Sequence, residues 1–231
     1  MKEGIRVVEV HAISEPGGHP VNEDAYLCEY HPAAPDCWLC CVADGQGGRA
    51  GGERAARLAC QSVMQVACRT PAGMLAAAPA WDFVLQAADQ AVAGDPQAGF
   101  STLLGFCIRR GRIVGASSGD SAVVLLNRAN AIVLTTGQIK NPPVGSGSAV
   151  FTAFAADLDE GWRVLAVTDG VWKYVGWDQM IGEAQSHLGQ AALGEMMGLA
   201  RLPRSGELQD DFTAVLVAAS AEPIAAPAPA A

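Results

Sequence analysis

Two kinds of apolar spacing alternate along the chain, and they predict which segments form strands and which form helices. Residues 38–43 are an uninterrupted apolar run, which is typical of a central β-strand. Over residues 53–68 the apolar positions recur every three to four residues, which indicates one amphipathic helix. A second helix is predicted over 81–93, and two more over 177–188 and 190–199.

The other apolar segments are short and are separated by turn residues. The predicted strands are residues 5–13, 26–28, 38–43, 102–108, 112–117, 122–127, 131–135, 149–154, 163–168 and 213–218. The four from 102 to 135 are predicted to form an antiparallel meander, and the next two to form a strand pair. This order favours an α+β fold, an αββα sandwich in which two antiparallel β-sheets pack face to face between flanking helices. One domain is predicted over 1–220, with a disordered Pro/Ala tail over 221–231.

Composition narrows the class of protein. Of the 231 residues half are hydrophobic and 17% are charged, and the net charge is −9, with no basic patch. Such a chain is predicted to form a sizeable core and to bind neither nucleic acid nor anionic membranes. The charged N-terminus and the lack of a long apolar run predict a cytoplasmic protein. The seven cysteines are predicted to be reduced and mostly buried, because Cys37 and Cys40 have no second pair at zinc-site spacing.

The candidate chemistry lies in aspartates that follow or precede predicted strands. Four segments carry them: Asn22-Glu23-Asp24, Ala43-Asp44-Gly45, Thr168-Asp169-Gly170 and Asp210-Asp211. Asp44 and Asp169 each end an apolar run that cannot solvate a carboxylate, so each charge needs a partner at the sheet edge. Carboxylates are the hard oxygen ligands that Mg²⁺ and Mn²⁺ prefer. A single Asp-Gly pair is also an ordinary turn, so it is the joint order of the segments that favours a metal site.

Taken together, the motifs resemble those of the metal-dependent, phosphatase 2C-like Ser/Thr protein phosphatases. The matching segments are Asn22-Glu23-Asp24, Val42-Ala43-Asp44-Gly45-Gln46-Gly47-Gly48, Ser101-Thr102-Leu103, Ser118-Gly119-Asp120-Ser121, Val167-Thr168-Asp169-Gly170-Val171-Trp172 and Asp210-Asp211-Phe212-Thr213. The resemblance implies a two-metal centre at one end of the two sheets. It also implies hydrolysis of phosphoserine and phosphothreonine by a metal-activated water, without a covalent enzyme intermediate.

The same resemblance implies a role for each acid. The implied catalytic residues are Asp24, Asp44, Asp169 and Asp210, and the implied metal-site residues are Asp24, Asp44, Gly45, Asp120, Asp169 and Asp210. Asp44, Asp169 and Asp210 match the side-chain ligands, Gly45 supplies a carbonyl, and Asp24 matches the acid that orients metal-bound water. Asp120 matches a residue that, with Asp169, holds a weaker third ion in bacterial members. Gly119-Asp120-Ser121 is equally a good hairpin turn, so this third site is conditional.

Three departures from the family pattern matter. His19 stands where the family usually has an arginine that binds the substrate phosphate. An imidazole lacks the fixed charge of a guanidinium group and cannot form its two parallel hydrogen bonds. His19 is a candidate substrate-binding residue or an exposed loop residue, and Arg49 in the glycine-rich loop is a second candidate. Gln46 stands where animal members have histidine, which favours a bacterial-type enzyme. Residues 138–147 are a short substitute for the family's substrate-side flap, which predicts an open site that relies on a partner for specificity.

Three functions are therefore compared. The leading hypothesis is a monomeric, cytoplasmic protein phosphatase with two Mg²⁺ or Mn²⁺ ions that acts on a phosphoprotein and opposes a Ser/Thr kinase. The alternative is a catalytically weak pseudophosphatase that docks a kinase or its substrate, which the substitution at His19 favours. A two-metal nuclease would share the aspartates, but a chain of charge −9 has no electrostatic attraction for polyanions. No Cys-x5-Arg loop supports a cysteine-based phosphatase.

Overall fold

The computed structural model describes residues 8–46 and 51–219, which form ten strands and six helices. The strands are β1 (Val8–Glu15), β2 (Asp24–His31), β3 (Ala34–Asp44), β4 (Leu103–Arg109), β5 (Arg112–Ser118), β6 (Ala122–Leu126), β7 (Ala131–Val133), β8 (Thr152–Asp157), β9 (Arg163–Val167) and β10 (Phe212–Ala219). The helices are α1 (Gly52–Ala67), α2 (Ala72–Leu75), α3 (Ala78–Ala93), α4 (Asp169–Val175), α5 (Trp177–Ser186) and α6 (Gly189–Ala200). Among these helices, none is both long enough and apolar enough to cross a bilayer.

The strands form two antiparallel sheets of five strands each. One has the order β1-β10-β9-β6-β7 and the other the order β2-β3-β4-β5-β8. Their inner faces share one apolar cluster. It contains the rings of Trp38 and Phe106, whose centroids lie 6.0 Å apart, together with Val164 and Val215 from the other sheet. The sheets therefore pack face to face, and the predicted α+β fold is confirmed.

Helices cover the outer face of each sheet. Small residues such as Ala55 and Ala59 repeat along the buried side of α1, so the helix packs closely on β3 together with Trp81 of α3. On the other side, Met180 of α5 and Leu193 of α6 pack over the β9–β10 face. This arrangement gives four layers, with the strand ends at the rim left to carry polar groups.

The predicted meander is wrong at its centre. β5 pairs with β8, and β6 pairs with β7 and β9, so consecutive strands β5 and β6 lie in different sheets. Gly119 lies between them with φ +114°, and a side chain there would lie 2.6 Å from Thr102. The glycine therefore directs the chain out of one sheet and into the other, where a hairpin was expected.

The predicted pairing of the strands at 149–154 and 163–168 is also wrong. β8 is an edge strand beside β5, whereas β9 lies between β10 and β6 in the opposite sheet. Two short helices, α2 and α4, were not predicted. Parts of two predictions, the strand start at 5–7 and the tail at 221–231, lie outside the described residues.

The prediction that the seven cysteines are unpaired and mostly buried is confirmed. All seven thiols are free, five of them are buried, and Cys28 and Cys68 are partly exposed.

Candidate metal centre

The hairpin of β2 and β3 places two acids opposite each other. Asp24 is the register partner of Asp44, and each lies at the end of its strand. Residues 38–43 of β3 are buried, so Asp44 is the first group on that strand that reaches the rim. Burial, and then the neighbouring charge of Asp24, raise the pKa of Asp44 well above its ordinary value. Opposed like charges destabilise a strand pair, so this end of the hairpin favours a cation.

The second sheet brings further acids to the same place. Asp169 follows β9 and begins α4, and Asp120 precedes β6. One carboxylate oxygen from each of Asp44, Asp120 and Asp169 lies within 4.8 Å of the others. These oxygens come from the end of β3, from the turn between β5 and β6, and from the start of α4 directly after β9. They match the donor type that Mg²⁺ and Mn²⁺ take, so the residues fit a divalent metal centre.

Asp24 lies next to this cluster, opposite Asp44 on the neighbouring strand. Its Oδ2 accepts a hydrogen bond of 2.8 Å from the hydroxyl of buried Thr168. Its Oδ1 is buried and has no hydrogen-bond partner among the described residues. Burial is the main reason that the pKa of Asp24 is raised to about 7. A buried carboxyl oxygen without a protein donor is suited to contact a metal ion or its water.

The two acids before β10 have different environments. Burial, and then the charge of Asp169, raise the pKa of Asp210. This carboxyl group therefore interacts electrostatically with the cluster, although it is outside the group formed by Asp44, Asp120 and Asp169. Asp211 is buried and accepts the backbone N–H groups of Gly17, at 2.8 Å, and of Glu23. The structure thus brings Asp120 into the tightest group, and Asp211 secures the loop that leads to Asp24. The ligand role of Asp210 stays a prediction.

Gly45 is held in place by backbone contacts on both sides. A side chain at Gly45 would lie 2.4 Å from the carbonyl of Gly52, so only glycine fits. Its N–H donates to the Glu23 carbonyl at 3.0 Å. Gly45 also forms a β-bridge with Ser101, which in turn bridges to Val144. The predicted carbonyl ligand is therefore part of a narrow ladder that extends from the cluster to the loop after β7.

The sequence profile of the protein phosphatase 2C family matches residues 18–171, two thirds of the chain. The matched segment contains every predicted metal-site residue except Asp210. The chain belongs to the protein phosphatase 2C family. The resemblance inferred from the motifs is confirmed.

Solved structures show that the whole described fold is a phosphatase 2C fold. The serine/threonine phosphatase Stp1 from Staphylococcus aureus superposes with a TM-score of 0.79 at 18% identity, covering 95% of this chain and 98% of Stp1. The Mycobacterium tuberculosis serine/threonine phosphatase PstP/Ppp gives 0.76 at 20% identity, with 92% and 99% covered. The catalytic domain of PstP in complex with two manganese ions gives 0.75 at 22% identity, with 91% and 97% covered. None of the curated proteins is significantly similar to this chain in sequence.

The two predicted substrate-binding residues of this phosphatase 2C family member are not part of the acid cluster that the structure shows. The side chain of His19 is 38% exposed, and its Nε2 lies 3.7 Å from the carboxylate of Glu23. His19 thus contacts an acid outside the group of three. Its contact with substrate stays a prediction. Arg49 lies outside the described residues.

Two lysines at the centre were missed by sequence reasoning. The ammonium group of Lys173 pairs with Asp169, and that of Lys140 lies 2.6 Å from Asp120. Burial favours the neutral amine of Lys173, but the hydrogen bond to Asp169 and the negative charges of Asp169, Asp120 and Asp210 together outweigh it and raise the lysine's pKa. The Asp-x₃-Lys spacing could have indicated the first pair if α4 had been predicted. No comparable spacing joins Lys140 to Asp120.

Proposed function

We propose that this phosphatase 2C family member hydrolyses phosphoserine and phosphothreonine in proteins, that it uses two Mg²⁺ or Mn²⁺ ions, and that it opposes a Ser/Thr kinase. The observation that carries the proposal is the convergence of Asp44, Asp120 and Asp169 within 4.8 Å at the joined ends of two sheets. The manganese complex of PstP, which has the same fold, supports the choice of metal.

Each residue of the centre has a proposed task. Asp44, Asp169, Asp210 and the carbonyl of Gly45 hold the ions. Bound ions of this kind neutralise phosphoryl oxygens and lower the pKa of a water molecule. Asp24 would orient that water through Oδ1, which has no hydrogen-bond partner within residues 8–46 and 51–219, because its other oxygen is held by the hydroxyl of Thr168.

The approach to the centre fits a protein substrate. The loop over 138–147 is short, and its Lys140 side chain is 62% exposed. An open rim leaves room for a phosphorylated side chain on a folded partner, and it supplies few contacts of its own for selectivity. We propose that selectivity comes from a dedicated partner, and that the enzyme acts in the cytoplasm as a monomer.

The proposal is tested by phosphate release from para-nitrophenyl phosphate and from a phosphothreonine peptide in the presence of Mn²⁺. Asp169→Asn should lower the rate by at least about a hundredfold, the upper range for disturbing a metal site's surroundings. Asp157→Asn is the matched control, because this carboxyl is 79% exposed and pairs only with Arg112 among the described residues. Equal rates for the wild type and Asp169→Asn would contradict hydrolysis at this centre.

A catalytically weak docking module is the second candidate. The ion pairs of Lys173 and Lys140 favour it, because they place positive charge on two acids of the centre. The same assay separates the two functions. A wild-type rate no higher than that of Asp169→Asn, together with retained binding of the phosphothreonine peptide, would support the docking module. Cleavage of DNA would instead support a nuclease.

A further inference from the structure

Lys173 is fixed beside the acid cluster by the geometry of α4. Asp169 is the first residue of this helix and Lys173 is the fifth, so both side chains lie on one face and form an ion pair. The start of the helix is pressed against the chain before β10, because a side chain at Gly170 would lie 1.9 Å from the Asp211 carbonyl. The helix therefore has little freedom to move Lys173 away from the cluster.

The same helix also holds the turn that carries Asp120. The indole Nε1 of Trp172 donates a hydrogen bond of 3.0 Å to the backbone carbonyl of Asp120. Lys173, the next residue, thus pairs with Asp169 on the helix that also holds the turn of Asp120, and these are the two acids to which the family resemblance assigns a third ion. Its side chain is 42% exposed, so Lys173 lies partly in solvent while it pairs with Asp169.

Lys140 contributes a second, looser positive charge. Its Nζ lies 2.6 Å from Asp120, but 62% of its side chain is exposed. Its loop is attached to the Asp120 turn through the carbonyl of Ile139, which accepts the N–H of Gly119 at 2.9 Å. An exposed lysine on a loop can leave its partner at small cost, so Lys140 affects ion binding at the cluster less than Lys173 does.

We infer that the ammonium group of Lys173 takes the place of a third divalent ion at Asp120 and Asp169, so that the centre binds two ions. The inference rests on the proposed function for the metal centre itself. The ammonium group repels a divalent cation that would share Oδ2 of Asp169 with it, whereas Oδ1 of Asp169 is left for the two ions of the centre, and the tethered charge is present at every ion concentration. Lys173 is therefore a specificity-determining residue for the number of ions.

The test is a count of bound Mn²⁺ on the full-length protein, by isothermal titration calorimetry and by equilibrium dialysis with metal analysis. The wild type should bind about two ions per chain, the number assigned to two-metal phosphatase centres. Lys173→Gln and Lys173→Met should each bind about one more ion. Lys173→Arg keeps the positive charge and should stay at the wild-type number, and Lys140→Gln should do the same. Thermal unfolding of each variant shows that it is folded before titration.

The outcomes separate this inference from the proposed function. A third ion in the wild type, or no added ion in both neutral variants of Lys173, overturns the inference while the metal centre stands. Added binding in Lys173→Arg as well would show that charge is not the cause, and it would also overturn the inference. A wild type that binds no Mn²⁺ refutes the metal centre and the inference together.

Discussion

Asp24 shows how a single side chain links folding to the chemistry of the centre. Its carboxyl group is buried beside Asp44, and in the part of the chain that the structure describes only one of its oxygens has a hydrogen-bond donor, the hydroxyl of Thr168. Burial raises its pKa to about 7, compared with an ordinary value of 3.8. Below about pH 7 the protonated form is thus the stable one in the folded protein without metal, although a metal-holding site needs the ionised form.

The stability of the protein in a metal chelator should therefore fall as pH rises from about 4 to about 7. Across this window the folded state holds the Asp24 proton and the unfolded state has lost it. The free energy of unfolding should decrease by up to about 1.4 kcal/mol per pH unit from this group. Thermal unfolding in EDTA at several pH values measures the slope.

Asp24→Asn is the control for that slope, because an amide does not titrate. The variant should show a shallower decline, with the remainder due to Asp44, whose pKa is also raised by burial and by the charge of Asp24. An unchanged slope in Asp24→Asn would show that this carboxyl is not the titrating group.

His19→Arg tests the predicted substrate contact. A guanidinium at this position should add one charge-assisted hydrogen bond to the phosphate, so KM for a phosphate ester at pH 8 should fall about tenfold, as about 1.5 kcal/mol would give. Val21→Arg is a matched control, because Val21 is in the same loop and is 51% exposed. If both variants lower KM equally, the effect is general attraction of charge. If KM is unchanged in both, His19 does not touch the substrate.

At the residue scale the sequence indicated the acids but not their counter-charges. Asp44 and Asp169 are recognisable because each follows an apolar run, which forces its charge to the rim of the sheet. Lys173 was not recognisable because its relation to Asp169 exists only once α4 has formed. Lys140 meets Asp120 through folding of a loop, and neighbouring residues give no sign of that contact.

At the element scale, helix α3 anchors the loop that lies beside the centre. Buried Asp89 accepts backbone N–H groups from Gly145 at 2.7 Å, Gly147 at 3.2 Å and Ala149 at 3.1 Å. One carboxylate therefore satisfies three donors of an irregular segment that has few hydrogen bonds of its own. The loop after β7 is thus attached to the helix layer.

Asp89→Ala should destabilise the protein by about 2–4 kcal/mol, because three N–H groups at a buried site lose their acceptor. Asp89→Asn should cost less, since the amide oxygen still accepts. Urea unfolding measures both costs, and limited proteolysis should locate new cleavage within 144–149. A cost below about 0.5 kcal/mol for the alanine variant would show that water replaces the carboxylate, and it would contradict an anchoring role.

Most elements follow from local spacing, but their pairing does not. The apolar repeat of α1 predicted that helix to within one residue at each end, whereas the continuous apolar run at 38–43 predicted the buried part of β3 but not its start at Ala34. The link between β5 and β6 has the length of a hairpin turn, and only the positive φ of Gly119 and its close approach to Thr102 make it a crossover between sheets. Such a contact depends on residues distant in sequence, which local reasoning cannot supply.

At the scale of the whole molecule, we expect a bound metal ion to link the two sheets. Asp44 ends a strand of one sheet and Asp169 follows a strand of the other, and the chain as a whole carries a charge of −9. An ion held by both removes repulsion and joins the layers. Binding at a hundredfold excess over Kd contributes about 2.7 kcal/mol, which corresponds to a rise in Tm of roughly 5–10 °C for a chain of this size.

Differential scanning calorimetry with and without Mn²⁺ checks this expectation. Sodium chloride at equal ionic strength is the control, because it screens charge without bridging the sheets. Asp169→Asn should lose most of the rise in Tm. The same rise with sodium chloride alone would mean that general screening accounts for the effect.

The layered architecture could be predicted because it depends on the total supply of amphipathic strands and helices. The position of the centre at one rim was implied by the family resemblance. The strand order around it was not, because it depends on contacts between residues that are distant in sequence. Asp120 illustrates the difference. Its Gly-Asp-Ser sequence is equally suited to a hairpin, and only the crossover to the second sheet brings it beside Asp44.

The ladder through Ser101 has a consequence for amide hydrogen exchange. Ser101 and Val144 exchange N–H···O bonds of 3.0 and 3.1 Å, and Ser101 is bridged on its other side to Gly45. Opening of the loop and loosening of the Gly45 carbonyl therefore involve the same short run of backbone. Deuterium uptake at these amides should slow when metal binds, and by reciprocity a ligand that holds the loop closed should retain the metal longer.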